Sequence, residues 1–88
     1  MAIIKKKIWL GYFDDLVSGK KTFDLRLNDF DVAVGDTLVL EEWDPQAETC
    51  TGRSIEKTVT YILRGKIDEL FWTKEEILEK GIQILSLK

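Results

Sequence analysis

A stretch of alternating side chains follows directly after a short helical pattern, and it strongly limits the folds open to this chain. Residues 22–27 place Phe23, Leu25 and Leu27 on one side of an extended backbone, with polar side chains on the other side. Gly19 stands just before this stretch and is typical of the residue that ends a helix. The pattern predicts a strand that has one face in the core and is entered directly from a helix.

The helical pattern before Gly19 is amphipathic. Its apolar residues recur at helical spacing: Tyr12, Phe13, Leu16 and Val17. A helix of about two turns is not stable alone in water. We therefore expect Phe13, Leu16 and Val17 to pin this helix to a sheet.

The remaining secondary structure is predicted from β-rich segments and one helix-capping signal. The further strand predictions cover residues 2–9, 37–43, 54–63 and 82–87. Polar residues 46–53 predict the connection between two of these strands. Thr73 and Glu76 form a capping-box pattern that begins a second helix, which ends at Lys80 and Gly81. The predicted order is β, α, β, β, β, α, β.

The chain length predicts a single domain over residues 1–88. A sheet rich in hairpins protects its edges best by closing on itself. We therefore expect an α+β fold that is mostly β, a small closed barrel of about five to six strands with two short helices. A core built on aromatic residues is expected, with these members: Trp9, Phe13, Phe23, Trp43, Tyr61 and Phe71.

The composition excludes several classes of function. The chain has no histidine and one cysteine, so a Ser-His-Asp or Cys-His hydrolase and a zinc site are not expected. We expect no metal and no cofactor. The net charge of −3 argues against a general nucleic-acid binder, although a local basic patch can act alone. We expect no signal peptide and no membrane segment, and therefore a cytoplasmic location.

The polar face of the predicted strand is the candidate site. Arg26 offers a planar fork of donors to phosphate or to a base, and Lys21 offers a point charge. Asp24 can accept a hydrogen bond from an exocyclic amine, and an aromatic such as Tyr12 or Trp43 can stack on a base. The full set of candidate ligand-binding residues is Gly19, Lys20, Lys21, Thr22, Asp24, Arg26 and Arg53. The competing interpretation is a surface pair of Asp24 and Arg26, worth about 0–1 kcal/mol.

Four of these residues resemble a family signature. Gly19, Lys21, Asp24 and Arg26 are similar to the Gly-x-Lys-x-x-Glu-x-Arg pattern of the ASCH domain superfamily. Later segments resemble a compact bacterial and phage subgroup of that superfamily, which is a domain of unknown function. The resemblance implies a PUA-like barrel. The chain departs from the pattern by having Asp24 in place of Glu and by lacking a histidine near its N-terminus.

Three functions stay open at this point. Binding of RNA or a nucleotide in a cleft at Lys21, Asp24 and Arg26 is the first hypothesis. The resemblance also implies an amidohydrolase acting on acetylated cytidine or a similar amide, with Lys21 and Asp24 as catalytic residues and Thr22 as a substitute nucleophile. Its distant glutamate is one of three candidates: Glu69, Glu75 and Glu76. The third hypothesis is a protein-interaction module that uses Glu41 and Glu42; the oligomeric state is left open.

Overall fold

The computed structural model describes residues 1–85, which form one sheet and a few short helices. The elements in this part of the chain are β1 (Ile3–Trp9), α1 (Leu10–Ser18), β2 (Thr37–Asp44), β3 (Thr49–Thr58), a 3₁₀ turn (Ile67–Glu69) and α2 (Lys74–Lys80).

The three strands form an open mixed sheet in the order β1-β2-β3. β1 runs parallel to β2, with Ile3 opposite Thr37 at one end and Trp9 opposite Trp43 at the other. β2 and β3 form an antiparallel hairpin. Because parallel neighbours need a long return connection, residues 10–36 cross over from the end of β1 to the start of β2 and carry α1 with them.

The core lies between α1 and one face of the sheet. Strand side chains alternate between faces, so Leu38 and Leu40 of β2 point to the same side as Ile8 of β1. Phe13 and Leu16, three residues apart on α1, cover these side chains. The opposite face of the sheet is not covered by a helix, and its side chains on β2 are only half-buried.

The predicted closed barrel is wrong. Closing a sheet requires its first and last strands to pair, and here β1 and β3 both stay as edges of three strands. Residues 59–85 contribute no strand to the sheet within the described chain. The α+β composition with two short helices is as expected, but the closed architecture and the five to six strands are not.

The predicted strand over residues 22–27 is also wrong. Within residues 1–85 this segment pairs with no strand, and Leu25 and Leu27 are 70% and 79% exposed instead of buried. The strand predicted at 54–63 lies earlier, at Thr49–Thr58. Residues 82–85 form no strand, and the rest of the predicted last strand lies outside the described residues.

The core is aliphatic, with one aromatic member, and not the aromatic cluster expected. Of the six predicted aromatic residues, Phe13 alone is buried. The buried apolar residues in the described chain are Ile8, Phe13, Leu16, Leu38 and Leu40. Trp9, Tyr61 and Phe71 are exposed because they lie outside the area that α1 covers.

The two helix termini with strong local signals are confirmed. Gly19 follows the last residue of α1 with φ of 82°, a left-handed conformation that glycine adopts without steric cost, and its N–H donates to the Leu16 carbonyl. Thr73 and Glu76 form the predicted reciprocal capping box at the start of α2. Val17 is exposed, so of the three residues expected to pin α1 to the sheet only Phe13 and Leu16 do so.

Asp36 fixes the entry into β2. Its Oδ1 accepts the Ala2 N–H and its Oδ2 accepts the Ala33 N–H, each at 2.9 Å. These two backbone hydrogen bonds, first that from Ala2 and then that from Ala33, hold the pKa of the Asp36 carboxyl below its ordinary value of 3.8. The ionised carboxylate therefore stabilises the junction between β1, the crossover and β2.

The variant Asp36→Asn is expected to unfold several degrees lower than the wild type at pH 7. A lowered pKa in the folded state means that the stabilisation is present above pH 3.8 and is lost as the pH falls below that value. Thermal unfolding of both proteins between pH 2 and pH 7 tests this, with exposed Asp31→Asn as the control. A difference in midpoint that stays constant down to pH 2 would contradict the role of the ionised carboxylate.

Candidate functional site

The segment after α1 folds back along that helix. The N–H of Lys21 donates to the Asp15 carbonyl at 3.0 Å, two residues after the left-handed turn at Gly19. Lys20 and Thr22 are exposed beside it. The predicted site residues from Gly19 to Thr22 therefore form a turn on the surface of α1, and Gly19 and Lys21 have backbone roles in it.

Lys21 lies over two aromatic rings. Its Nζ is 4.2 Å from the centroid of Tyr12 and 5.1 Å from the centroid of Phe23. Tyr12 is 52% exposed and Phe23 is 36% exposed. Tyr12 comes from α1 and Phe23 from the crossover, so the fold joins a cation and two π-faces from separate elements. We call these three residues the Tyr12 platform.

Asp24 and Arg26 form an ion pair. The Arg26 Nε donates to the Asp24 Oδ2, and its Nη2 donates to the Lys7 carbonyl of β1 at 2.7 Å. The pair of Asp24 and Arg26, which is the interpretation that competes with a ligand-binding role for these residues, is thus present. The hydrogen bond to the Lys7 carbonyl also holds the crossover against β1, the edge strand of the sheet.

A second group of aromatic and basic residues lies at the end of β1. Trp9 and Trp43 are opposite each other in the parallel register, so both indoles are on the uncovered face. The Lys7 Nζ is 4.2 Å from the centroid of the Trp43 ring. We call Lys7, Trp9 and Trp43 the Trp43 platform. From the sequence, Trp43 is a stacking candidate, Lys7 is one of several lysines that could form a local basic patch, and Trp9 is expected in the core. The spacing of two between Lys7 and Trp9 on a predicted strand was a usable signal that they share a face.

Arg53 belongs to a different cluster. Its Nη2 donates to Asp14 Oδ1 at 2.6 Å and to Glu42 Oε2 at 3.0 Å, and its guanidinium lies 4.6 Å from the centroid of Phe13. The Asp14 carboxylate, and after it Glu42, raise the pKa of Arg53. Within residues 1–85, the hydrogen bonds and ion pairs of the Arg53 side chain are to Asp14 and Glu42 and not to Asp24. Arg53 therefore belongs to a different hydrogen-bonded cluster from Asp24 and Arg26.

Glu42 is the buried member of the Arg53 cluster. It is 5% exposed, and its Oε1 accepts the Thr51 hydroxyl at 2.6 Å. Its position on the core face of β2 follows from strand alternation with Leu38 and Leu40. A buried carboxylate needs a cation and hydrogen-bond donors. Arg53 and Thr51 supply them from β3.

Two cavities lie elsewhere on the molecule. One of about 210 Å³ opens on the uncovered face, where its lining includes Lys5, Glu41 and Cys50. Another of about 430 Å³ lies beside α2, against Trp72 and Ile77. Arg53 also lines the first cavity, whereas Lys21, Asp24 and Arg26 line neither of the two.

The described residues give no indication of a metal centre or a membrane segment. Within residues 1–85, no three or more carboxylate, thiolate or imidazole side chains are grouped so that they could hold a metal ion. The same part of the chain contains no helix with the length and apolar composition required to cross a bilayer.

Comparison with known proteins gives the family. The sequence profile of DUF3850, a domain of unknown function, matches residues 3–73. This chain belongs to the DUF3850 family. The matched region of the DUF3850 domain runs from β1 through the 3₁₀ turn, and so includes both platforms, while α2 lies outside it.

One phage relative of this DUF3850 chain is itself uncharacterised. It is the 12.9 kDa protein in the GpA 3' region of Escherichia phage P2, 39% identical over 54 residues. The match covers 61% of this chain and 48% of the relative, so the chain spans about half of that protein. No solved structure matches. The expected likeness to a phage domain of unknown function is confirmed, and the ASCH likeness stays a prediction.

Proposed function

We propose that this DUF3850 domain binds single-stranded RNA, or nucleotides derived from it, through the Tyr12 platform. The observation that supports the proposal is the position of the Lys21 ammonium over two exposed rings. Proteins that read single-stranded RNA stack unpaired bases on aromatic side chains and hold the phosphates with nearby basic groups. The Tyr12 platform has both kinds of group on one surface.

The interaction energies favour a stacked base over the Lys21 ammonium that lies above the Tyr12 ring. A cation over an exposed aromatic ring is worth about 0.5–1 kcal/mol. A base stacked on the same ring is worth about 1–3 kcal/mol. A base therefore replaces the Lys21 ammonium above the Tyr12 ring. The ammonium then moves to a phosphate, where its interaction is more favourable than on the ring.

Local charge matters more than the total for this proposal. The chain carries a net charge of −3, but screening at physiological salt limits an exposed charge to a range of about 8 Å. The basic groups on β1 and on the turn after α1 are Lys5, Lys6, Lys7, Lys20 and Lys21. Arg26 supports this surface indirectly, because its bonds to Asp24 and to the Lys7 carbonyl hold the crossover against β1. We therefore assign Arg26 and Asp24 a positioning role.

The variant Tyr12→Ala is expected to weaken RNA binding by about 1–3 kcal/mol because it removes the main stacking surface. Lys21→Ala is expected to lower the slope of log K against log salt by about 0.7, the value for one phosphate contact on a single strand. Titration of a fluorescently labelled single-stranded RNA at several salt concentrations measures both effects. Tyr61→Ala is the matched control, since Tyr61 is an exposed tyrosine in the chain beyond β3.

The proposal fails if the wild type does not bind the RNA at low salt. It also fails if Tyr12→Ala and Tyr61→Ala bind with the same affinity as the wild type. Circular dichroism of each variant checks that the fold is retained.

The other hypotheses have no specific observation in their favour. Amide hydrolysis by Lys21 and Asp24 stays a prediction of the ASCH resemblance, and Asp24 already pairs with Arg26. A protein-interaction surface at Glu41 and Glu42 would have only Glu41 to offer, because Glu42 is buried. The cytoplasmic location expected from the sequence is a proposal, as RNA binding is.

A further inference from the structure

We infer that two copies of this chain associate, with the region around α2 of each copy covering the open face of the other copy's sheet. The apolar side chains of residues 67–85 are called the α2 surface. Its exposed members are Ile67, Phe71, Trp72, Leu78, Ile82 and Leu85. The inference does not depend on nucleotide binding, because no residue of the Tyr12 platform belongs to either contact surface.

The α2 surface is apolar but is not buried within one copy. None of residues 60–85 is buried, α2 and the 3₁₀ turn included. Phe71 is 99% exposed, and its ring meets the Trp72 ring edge to face with 6.2 Å between the centroids. Soluble monomers rarely expose a contiguous apolar patch larger than a few hundred Å². The composition and exposure of the α2 surface are therefore those of a protein interface.

The total exposed area of the chain also indicates a partner. The chain exposes 7532 Å², whereas a compact monomer of 10.2 kDa exposes about 5300 Å². The excess is about 2200 Å². A permanent homodimer buries about 1000–2500 Å² on each copy. The excess area is therefore as large as the contact that a permanent dimer of this chain would need.

The uncovered face of the sheet is the surface that can receive α2. Trp9 is exposed on this face, and Val39 and Trp43 of β2 are only half-buried there. One chain thus carries both an apolar α2 surface and an open sheet face. Two copies related by a two-fold axis cover both surfaces on both chains with one kind of contact. A different protein would need a separate contact for each surface, and this favours a second copy.

A groove beside α2 gives the contact a defined side chain. Its volume is about 430 Å³, and its apolar lining includes Trp72, Ile77 and Ile82. The Trp9 indole is 59% exposed at the end of β1. Tryptophan side chains that fill pockets contribute much of the binding energy of protein interfaces. Trp9 of each copy therefore occupies the α2 groove of the other.

Sedimentation velocity of the full chain at about 1–100 μM tests the association. We expect a species with twice the mass of 10.2 kDa. Phe71→Asp and Trp9→Asp should each raise the dimer dissociation constant at least about tenfold. Leu27→Asp is the control, because Leu27 is 79% exposed in the crossover and lies outside both surfaces. Circular dichroism of each variant checks that the fold is retained.

Photo-cross-linking tests which surfaces meet. Phe71 is replaced by the photoreactive amino acid benzoylphenylalanine, and isotopically labelled and unlabelled copies are mixed before irradiation. Mass spectrometry then identifies the peptides that are joined. We expect cross-links from position 71 to peptides of β1 or β2 that connect a labelled copy with an unlabelled copy. Cross-links to these peptides within one copy only would show that α2 folds onto its own sheet, and would overturn the inference.

Two results of the sedimentation experiment also count against the inference. A wild-type chain that stays at the monomer mass at the highest concentration overturns it, and the α2 surface then serves a different partner. A dimer whose dissociation constant is the same in Phe71→Asp and Trp9→Asp as in the wild type overturns it as well. Neither result bears on RNA binding at the Tyr12 platform, which the titration with labelled RNA tests separately.

Discussion

Replacement of Leu40 by alanine is expected to lower the free energy of unfolding by about 2–5 kcal/mol. Leu40 is 1% exposed on the central strand, where α1 covers it. Its truncation removes buried methyl groups and leaves a cavity that the two neighbouring strands are too constrained to fill. A domain of this length has about 4–13 kcal/mol of total stability, so this single change removes a large part of it.

Urea unfolding of Leu40→Ala measures this loss, with Leu63→Ala as the control. Leu63 is 84% exposed in the chain that follows β3, so the same chemical change creates no cavity there. We expect Leu63→Ala to unfold within about 0.5 kcal/mol of the wild type. Equal midpoints for the two variants would show that the core is not centred on β2.

Arg53→Ala is expected to have the second-largest effect on stability. The substitution leaves the Glu42 carboxylate buried without the cation that now lies 3.0 Å away. Loss of one partner from such a pair is costly because a buried charge is left uncompensated. The same substitution removes the contact with Asp14 that ties β3 to α1.

A double variant tests whether the loss in Arg53→Ala comes from the buried and unpaired Glu42 carboxylate. Arg53→Met combined with Glu42→Leu replaces both partners by apolar groups of similar volume, and we expect it to recover most of the stability lost in Arg53→Ala. The control is Arg64→Ala, because Arg64 donates to the Val32 carbonyl. Urea midpoints provide the measurement. A double variant no more stable than Arg53→Ala would show that the unpaired Glu42 carboxylate is not the cause of the loss.

Local signals in the sequence predicted local structure well. The termini of both helices depend on neighbouring residues, as at Gly19, and at Thr73 with Glu76. β2 was predicted at 37–43 and extends over Thr37–Asp44. These features are readable because the interactions that determine them lie within a few positions along the chain.

The alternating stretch at residues 22–27 shows where such reasoning fails. The alternation of apolar and polar residues predicts which side chains share a face if a strand forms. A strand also needs a neighbouring strand whose backbone groups pair with its own. The sheet supplies none, because the free edge of β1 is contacted by the Arg26 side chain instead of by a ladder. The barrel prediction failed for the same reason, since it assumed partners for every β-rich segment.

Some contacts of the candidate residues can be predicted from the sequence, whereas their role in binding stays a prediction. Lys21, Asp24 and Arg26 lie in one segment, and the ion pair between Asp24 and Arg26 follows from their spacing of two. The pairing of Arg53 with Asp14 and Glu42 could not be predicted from the sequence, because it depends on which face of the β2–β3 hairpin meets α1. The pairing of Trp9 with Trp43 was equally hidden, since it follows from a parallel register between distant segments.

The parallel arrangement of β1 and β2 has a consequence for the order in which the molecule assembles. The hairpin of β2 and β3 closes a short turn, an event of about 1–10 μs, whereas docking of β1 must close a loop of residues 10–36. We expect the hairpin to be the early structure during refolding, with β1 arriving later. The Tyr12 platform includes residues of the crossover, so we expect the proposed nucleotide binding to emerge in the last kinetic phase, after most of the hairpin's amide protons are already protected from exchange.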